Sequence, residues 1–219
     1  MDGSSLLQCR STVMRERRVA DAVVMEAVAK HFRSGGRRFS ALHEVDMSVA
    51  EGEPVAVCGR SGSGKTTLLS MAGGLDRPDE GRVYAAGEEV SNLSDAALER
   101  FRRERVGWVF RASGLHPLLT AAENVAFALR IQGRAAPEAQ EAAELALAEV
   151  GLAARARHRA HELSGGEQRV ALARAMVKRP RLLLADEPTG QPDTTTGRQV
   201  LALVRATADF WGHGPDRQP

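Results

Sequence analysis

The sequence predicts an α/β fold built on a parallel sheet, and three observations carry that expectation. Short apolar runs alternate with segments of helical periodicity from Val28 to about Ala208. The run "PVAVC", residues 54–58, leads straight into the glycine loop "GRSGSGKTT" and then into the helical spacing of "TTLLSMAGGL". A second run, "LLLA" at 182–185, ends in two adjacent acids, Asp186 and Glu187. A strand of that composition is buried on both faces, so an unpaired acid at its end is costly and something positive must meet it.

The elements follow in order. Residues 1–24 are polar, Arg-rich and aperiodic, and read as a disordered extension. "AVAKHF" and "ALHEVDMSV" are short strands, with Glu51-Gly52-Glu53 as the turn before "PVAVC". "GRVYAAGEEV" is a hairpin punctuated by Gly81 and Gly87, and "SDAALERFRRERV" is an amphipathic helix that Ser94 can cap. "VGWVF" is a further strand. Residues 112–160 are mainly helical, with Pro137 and Gly151 marking the ends of the clearest helix. "LSGGEQRVALARAMV", the strand "LLLA" and a last helix from about Thr196 to Ala208 complete the pattern.

Composition bounds the function. Thirty basic and 28 acidic residues leave a formal charge of +2, which excludes the strong positive field of a nucleic-acid binder. Two cysteines, Cys9 and Cys58, predict a reducing compartment, with Cys58 a small hydrophobe inside its apolar run. No apolar window has the length of a membrane span, and the start lacks the apolar stretch of a secretory signal, so a soluble, cytoplasmic chain is expected.

The chemistry sits in three places. "GRSGSGKTT", Gly59 to Thr67, follows an expected strand and opens an expected helix, the context a phosphate-binding P-loop needs. Its residues Gly59, Arg60, Ser61, Gly62, Ser63 and Gly64 turn backbone N–H groups inward as an anion nest. Lys65 reaches the β- and γ-phosphates, Thr66 offers a hydroxyl to Mg²⁺, and Thr67 continues the helix start. Mg²⁺ and its water then answer the question of the two acids: Asp186 holds the ion and Glu187 takes a proton from the attacking water. The third place is "LSGGEQ", 163–168, where Ser-Gly-Gly before a helix makes a second anion-binding turn. One phosphate site does not need two such turns, which implies a partner.

With these three motifs in this order the sequence resembles the ATP-binding subunit of ATP-binding cassette (ABC) transporters, over about Val28 to Ala208. The segments "VGWVFRASGLHPLLTAAENV" and "GGLDRPDEGRV" resemble its export-type branch of macrolide-efflux and lipoprotein-release ATPases. The resemblance implies a P-loop NTPase core with a parallel sheet, an N-terminal antiparallel β subdomain and a helical insert, about 112–165, within a nucleotide-binding domain of 25–208. It implies ATP and Mg²⁺ as ligands, with Thr66 and Asp186 on the metal and Glu187 catalytic. It implies that Phe32 stacks on adenine, that Ser164, Gly165, Gly166 and Glu167 close on the ATP of a second subunit, and that Asp193 lies at the dimer interface. The expected partners are a homodimer mate or homologous ATPase and a membrane permease on whose inner face the chain sits. The function so implied is ATP hydrolysis driving transport. An alternative is a truncated module that binds Mg-ATP and hydrolyses it poorly or not at all. The short spacing between loop and signature argues against the ABC ATPases of DNA repair.

Three departures from the family pattern bear on activity. Position 111, normally Gln, is Arg111, a donor-only cation that cannot ligate a metal. Gly166 and Arg169 are separated by only Glu167 and Gln168, one residue short, which turns the following helix by about 100° or forces the signature loop to readjust. After Asp209 the pattern gives way to "FWGHGPDRQP", an irregular tail over 209–219 that lacks the family's central strand and makes His213 a poor switch histidine. A frameshifted or truncated end is the expectation here.

Overall fold

A computed structural model describes residues 21–163 and 166–188, with Ala202 besides. The chain divides into two compact units, one ending at Leu98 and the other starting at Glu99.

In the first unit an antiparallel sheet has the order β2-β1-β3-β4, from β1 (Asp21–Ser34), β2 (Arg37–Ala50), β3 (Glu80–Ala85) and β4 (Glu88–Glu89). Gly35 and Gly36, at φ +57° and +79°, make the two-residue turn between β1 and β2, since only glycine takes two successive positive φ values at little cost. Val23, Met25, Val28, Leu42 and Val83 are buried, as the alternation of half-buried strands requires. Val23 and Met25 pair with Val49 and Met47, so β1 starts at Asp21 and residues 21–24, expected in the extension, belong to the sheet. Ala27 interrupts the register at φ +48°, and Gly81 faces that bulge so closely that a Cβ would strike the carbonyls of Glu26 and Ala27.

The segment 54–58 departs from expectation. "PVAVC" forms no strand, and Val55 and Val57 are 50% and 39% exposed. A continuous apolar run becomes a buried strand only where both its edges find hydrogen-bonding neighbours, and among the described residues this run has none. Cys58 is correspondingly exposed rather than packed. Helix α1 (Lys65–Ala72) follows the loop, with Met71 and Ala72 buried.

Helix α2 (Asp95–Arg105) begins where Ser94 Oγ accepts from Ala97 N at 3.3 Å, the expected cap. In the second unit β5 (Val106–Val109) pairs with β6 (Leu182–Ala185) in parallel, and this pair is the parallel sheet among the described residues. Around it pack α3 (Ala121–Ile131), α4 (Ala136–Glu149) and α5 (Glu167–Met176), burying Val125, Leu129, Leu147, Val170 and Leu172. Thr120 and Glu123 form a capping box at the start of α3. Gly151, at φ +72°, ends α4, as the sequence expects. On α5 the run Val170 to Ala173 is fully buried, so the helix behind the shortened signature keeps its packed face. The expected last helix, Asp193 and the tail with His213 lie outside the described residues, Ala202 excepted.

Candidate functional site

In the first unit the glycine loop is wound around a cation. Lys65 Nζ donates to the carbonyls of Gly59 and Arg60 at 2.8 Å each and to Ser63 Oγ at 3.5 Å. Ser63 N closes the turn on the Arg60 carbonyl at 3.2 Å. Gly62 and Gly64 sit at φ +78° and +88°, and a Cβ on Gly64 would strike the Ala41 carbonyl. The loop is solvent-exposed and the first turn of α1 carries no acid. An ammonium at the loop's centre, helix N–H groups behind it and no acid in the first turn of α1 together suit a phosphate chain. Thr66 and Thr67 stand in the first turn of α1, and Ser61 lies on the exposed rim.

Phe32, on β1, is 37% exposed. Its ring lies 5.9 Å from that of Phe39, its register partner on β2, and 5.6 Å from Lys30 Nζ. It is therefore a surface aromatic rather than a core side chain. Phe39, half exposed beside it, escaped the sequence reading, although a Gly-Gly turn between two strands pairs the two by symmetry.

In the second unit β6 delivers its two acids at the open end of the parallel pair. Asp186 N donates to the Val109 carbonyl at 2.9 Å, extending the ladder one residue. Glu187 follows at φ +44°, a strained value for a residue with a Cβ. Its Oε2 lies 3.1 Å from Arg111 Nε. A side chain of the same unit thus meets this acid, where the sequence assigned Mg²⁺ and water as its complement. Both groups are well exposed, 71% for Arg111 and 47% for Glu187.

The segment carrying Arg111 is fastened to α5. The Arg111 carbonyl accepts from Gln168 Nε2 at 2.7 Å, and Ser113 Oγ lies 3.3 Å from Glu167 Oε2. Arg174 donates from Nη1 to the Gly114 carbonyl at 2.6 Å and from Nη2 to that of Ser113 at 2.7 Å. Burial pushes the Arg174 guanidinium below its ordinary range. Ser113 takes a positive φ that a residue with a Cβ disfavours, and these bonds from Arg174 help to hold it there, while Gly114 adopts its own positive φ freely. Trp108 and Phe110 stack at 5.1 Å beside it. Arg174 and Gln168 are site residues the sequence reading missed, since nothing in "EQRVALARAM" distinguishes a clamp from an ordinary helix surface.

Of the signature, Gly166 caps α5 and Glu167 opens it. Ser164 and Gly165 lie outside the described residues, as does Asp193.

Thr66 offers a hydroxyl in the first unit and Asp186 a carboxylate in the second, and each taken by itself is an oxygen donor of the kind Mg²⁺ takes.

Comparison with known proteins gives a consistent picture. Residues 42–190 match the family model described as ABC transporter. The lipoprotein-releasing system ATP-binding protein LolD of Chromohalobacter salexigens is 47% identical over 184 residues, covering 84% of this chain and 78% of that protein. LolD of Geobacter metallireducens is 49% identical over 174 residues, covering 79% and 77%. Among solved structures, a dimeric ATP-binding cassette in a post-hydrolysis state with ADP and Pi superposes with a TM-score of 0.79 at 36% identity, over 86% of this chain and 83% of that one.

Proposed function

The chain belongs to the ABC transporter family as an ATP-binding subunit, and from that premise we propose that it hydrolyses ATP as half of a nucleotide-sandwich dimer beneath a permease of the lipoprotein-release type. The observation that carries this reading is the Lys65 ammonium held at the centre of an exposed glycine loop that opens a helix.

Gly59 to Gly64 and Lys65 bind the phosphates: nucleotide oxygens replace the loop carbonyls now on Nζ, and the α1 amides face the added charge. Arg60, Ser61, Ser63 and Thr67 line the same nest, and Phe32 offers a face to adenine. Thr66, in the first unit, and Asp186, in the second, would each give an oxygen to Mg²⁺, which would supply positive charge to the phosphate oxygens. Glu187 takes the proton of the attacking water, a role that contributes about 10² to 10⁴-fold in rate. Ser164, Gly165, Gly166 and Glu167 of each copy close on the nucleotide of the other, with Asp193 at their shared face. No helix among the described residues is long and apolar enough to cross a membrane, and attachment to the cytoplasmic face runs through the permease, with the helical region 112–165 as its docking element.

ATPase activity of the full chain tests this, with and without Glu187→Gln. A loss of about 100-fold or more supports the role of Glu187, and equal rates remove it. With ATP and Mg²⁺, Glu187→Gln should move the solution mass from monomer to dimer; a monomer at every concentration overturns the sandwich.

The Arg111–Glu187 pair favours a second reading, in which Mg-ATP is bound without turnover. Tight ATP binding with no phosphate release, in a variant lacking the arginine as well as in the native chain, would select it.

A further inference from the structure

A general base works through a carboxylate oxygen that faces water, and in this chain one oxygen of Glu187 faces a guanidinium instead. Arg111 Nε sits 3.1 Å from Glu187 Oε2. The two ends of Arg111 differ sharply in how firmly they are held. Its backbone carbonyl is bonded to Gln168 Nε2 at 2.7 Å, and the next turn is clamped by two donors from Arg174 and by the Ser113–Glu167 contact. Its side chain is 71% exposed. The root is therefore fixed to α5 while the tip can leave.

The sheet brings the two backbones within reach of each other. Val109 and Ala185 share the last rung of the parallel pair, and Arg111 and Glu187 each stand two residues beyond it. Glu187 itself sits at φ +44°, a conformation with a cost for a residue that carries a Cβ.

We propose that Arg111 is a positioning residue that restrains Glu187: while the pair is closed the guanidinium occupies the carboxylate oxygen needed for water, and hydrolysis proceeds from the state in which the pair has opened. Because the carbonyl of Arg111 hangs on Gln168, movement of the signature helix acts directly on the root of the pair. The inference rests on Glu187 being the base of the proposed hydrolysis.

A solvent-exposed pair of this kind biases an equilibrium only modestly, so removing it is expected to raise kcat about 1.5- to 5-fold. The test compares the full chain with Arg111→Gln, Arg111→Lys and Glu187→Gln. The expected result is a faster Arg111→Gln with KM for ATP within about twofold of wild type, and Arg111→Lys slow like wild type, since the charge is retained. Rising salt should accelerate wild type but not Arg111→Gln, because screening opens an ion pair that the variant lacks. A readout independent of turnover is the ¹H–¹⁵N signal of Arg111 Nε in the nucleotide-free protein, identified by its loss in Arg111→Gln. It should shift in Glu187→Ala.

If Glu187→Gln abolishes turnover while Arg111→Gln is no faster than wild type, the restraint falls and the assignment of the base stands. If Glu187→Gln leaves turnover intact, the base falls first and the restraint with it. An Nε signal unmoved by Glu187→Ala overturns the pair whatever the rates show.

Discussion

Arg111 and Glu187 meet at 3.1 Å because β5 and β6 run parallel in a register that pairs Val109 with Ala185. Two segments far apart in sequence thereby leave the sheet side by side, one carrying a permanent cation and the other the acid proposed to activate water. The arrangement joins the chemistry of the site to α5, since the same short segment bonds Glu187 by its side chain and Gln168 by its backbone. Several measurements separate the parts of this arrangement.

Lys65→Met should weaken Mg-ATP binding about 10- to 100-fold, the value of one or two charge-assisted hydrogen bonds to phosphate. Among the described residues its side chain bonds the exposed loop and nothing else, so the melting temperature should change little. Titration with a fluorescent ATP analogue, alongside thermal unfolding, checks both halves.

Arg174→Leu removes a donor from the part-buried Ser113 carbonyl and another from the exposed Gly114 carbonyl. Loss of stability of about 1 to 3 kcal/mol is expected, chiefly because the Ser113 acceptor is left without this partner. Hydrogen exchange at 110–114 should rise in the same variant, and unchanged exchange there would show that the clamp is not what holds the turn.

Asn124 is buried and ties down the loop before α3. Its Oδ1 accepts from His116 N at 2.7 Å, and its Nδ2 reaches the carbonyls of His116, Leu119 and Thr120 at 3.1, 3.2 and 3.0 Å. Asn124→Leu, similar in size, should cost more than about 2 kcal/mol in denaturant unfolding. A near-neutral result would mean that water replaces the amide.

Lys178 donates to the carbonyls of Arg102 and Val106 at 3.2 and 2.6 Å, and burial, with Arg174 adding its charge, lowers its pKa to about 8. Between pH of about 8 and the ordinary lysine value of 10.5 the unfolded chain holds a proton that the folded chain has released. Stability contributed by this group therefore rises with pH across that window, and the desolvation cost is present in full below it. Lys178→Met should abolish the rise. The difference in unfolding free energy between wild type and variant, followed from pH 7 upward, reads it as a slope that a constant loss of hydrogen bonds cannot mimic.

Thr120→Ala breaks the capping box of α3 and is expected to cost about 1 kcal/mol. The Glu123 carboxyl is held below its ordinary range by bonds to Thr120, backbone first. Its contribution is present above the ordinary carboxylate pKa and lost as pH falls through the lowered one, so the effect of Thr120→Ala should shrink in acid.

The elements whose signals are local were readable from the chain alone. The cap at Ser94, the helix end at Gly151 and the hairpin around Gly87 depend on residues within a few positions, and the structure has them where expected. The glycine loop is of the same kind, because "GRSGSGKTT" carries its own turn geometry and its own cation. "PVAVC" shows the opposite case: its composition suits a buried strand, but a strand exists only through neighbours at both edges, and composition does not supply neighbours.

By itself, then, the sequence pointed to the family, the glycine loop, the pair of acids and the order in which they occur, because each is written in contiguous residues. The partner of Glu187 came from the fold. Arg111 is brought beside it by the parallel register of two strands, and its backbone is fastened by Gln168 and the turn after it by Arg174, both on a helix from elsewhere in the chain. Contacts between distant segments depend on register and packing, which decide them after the local elements have formed.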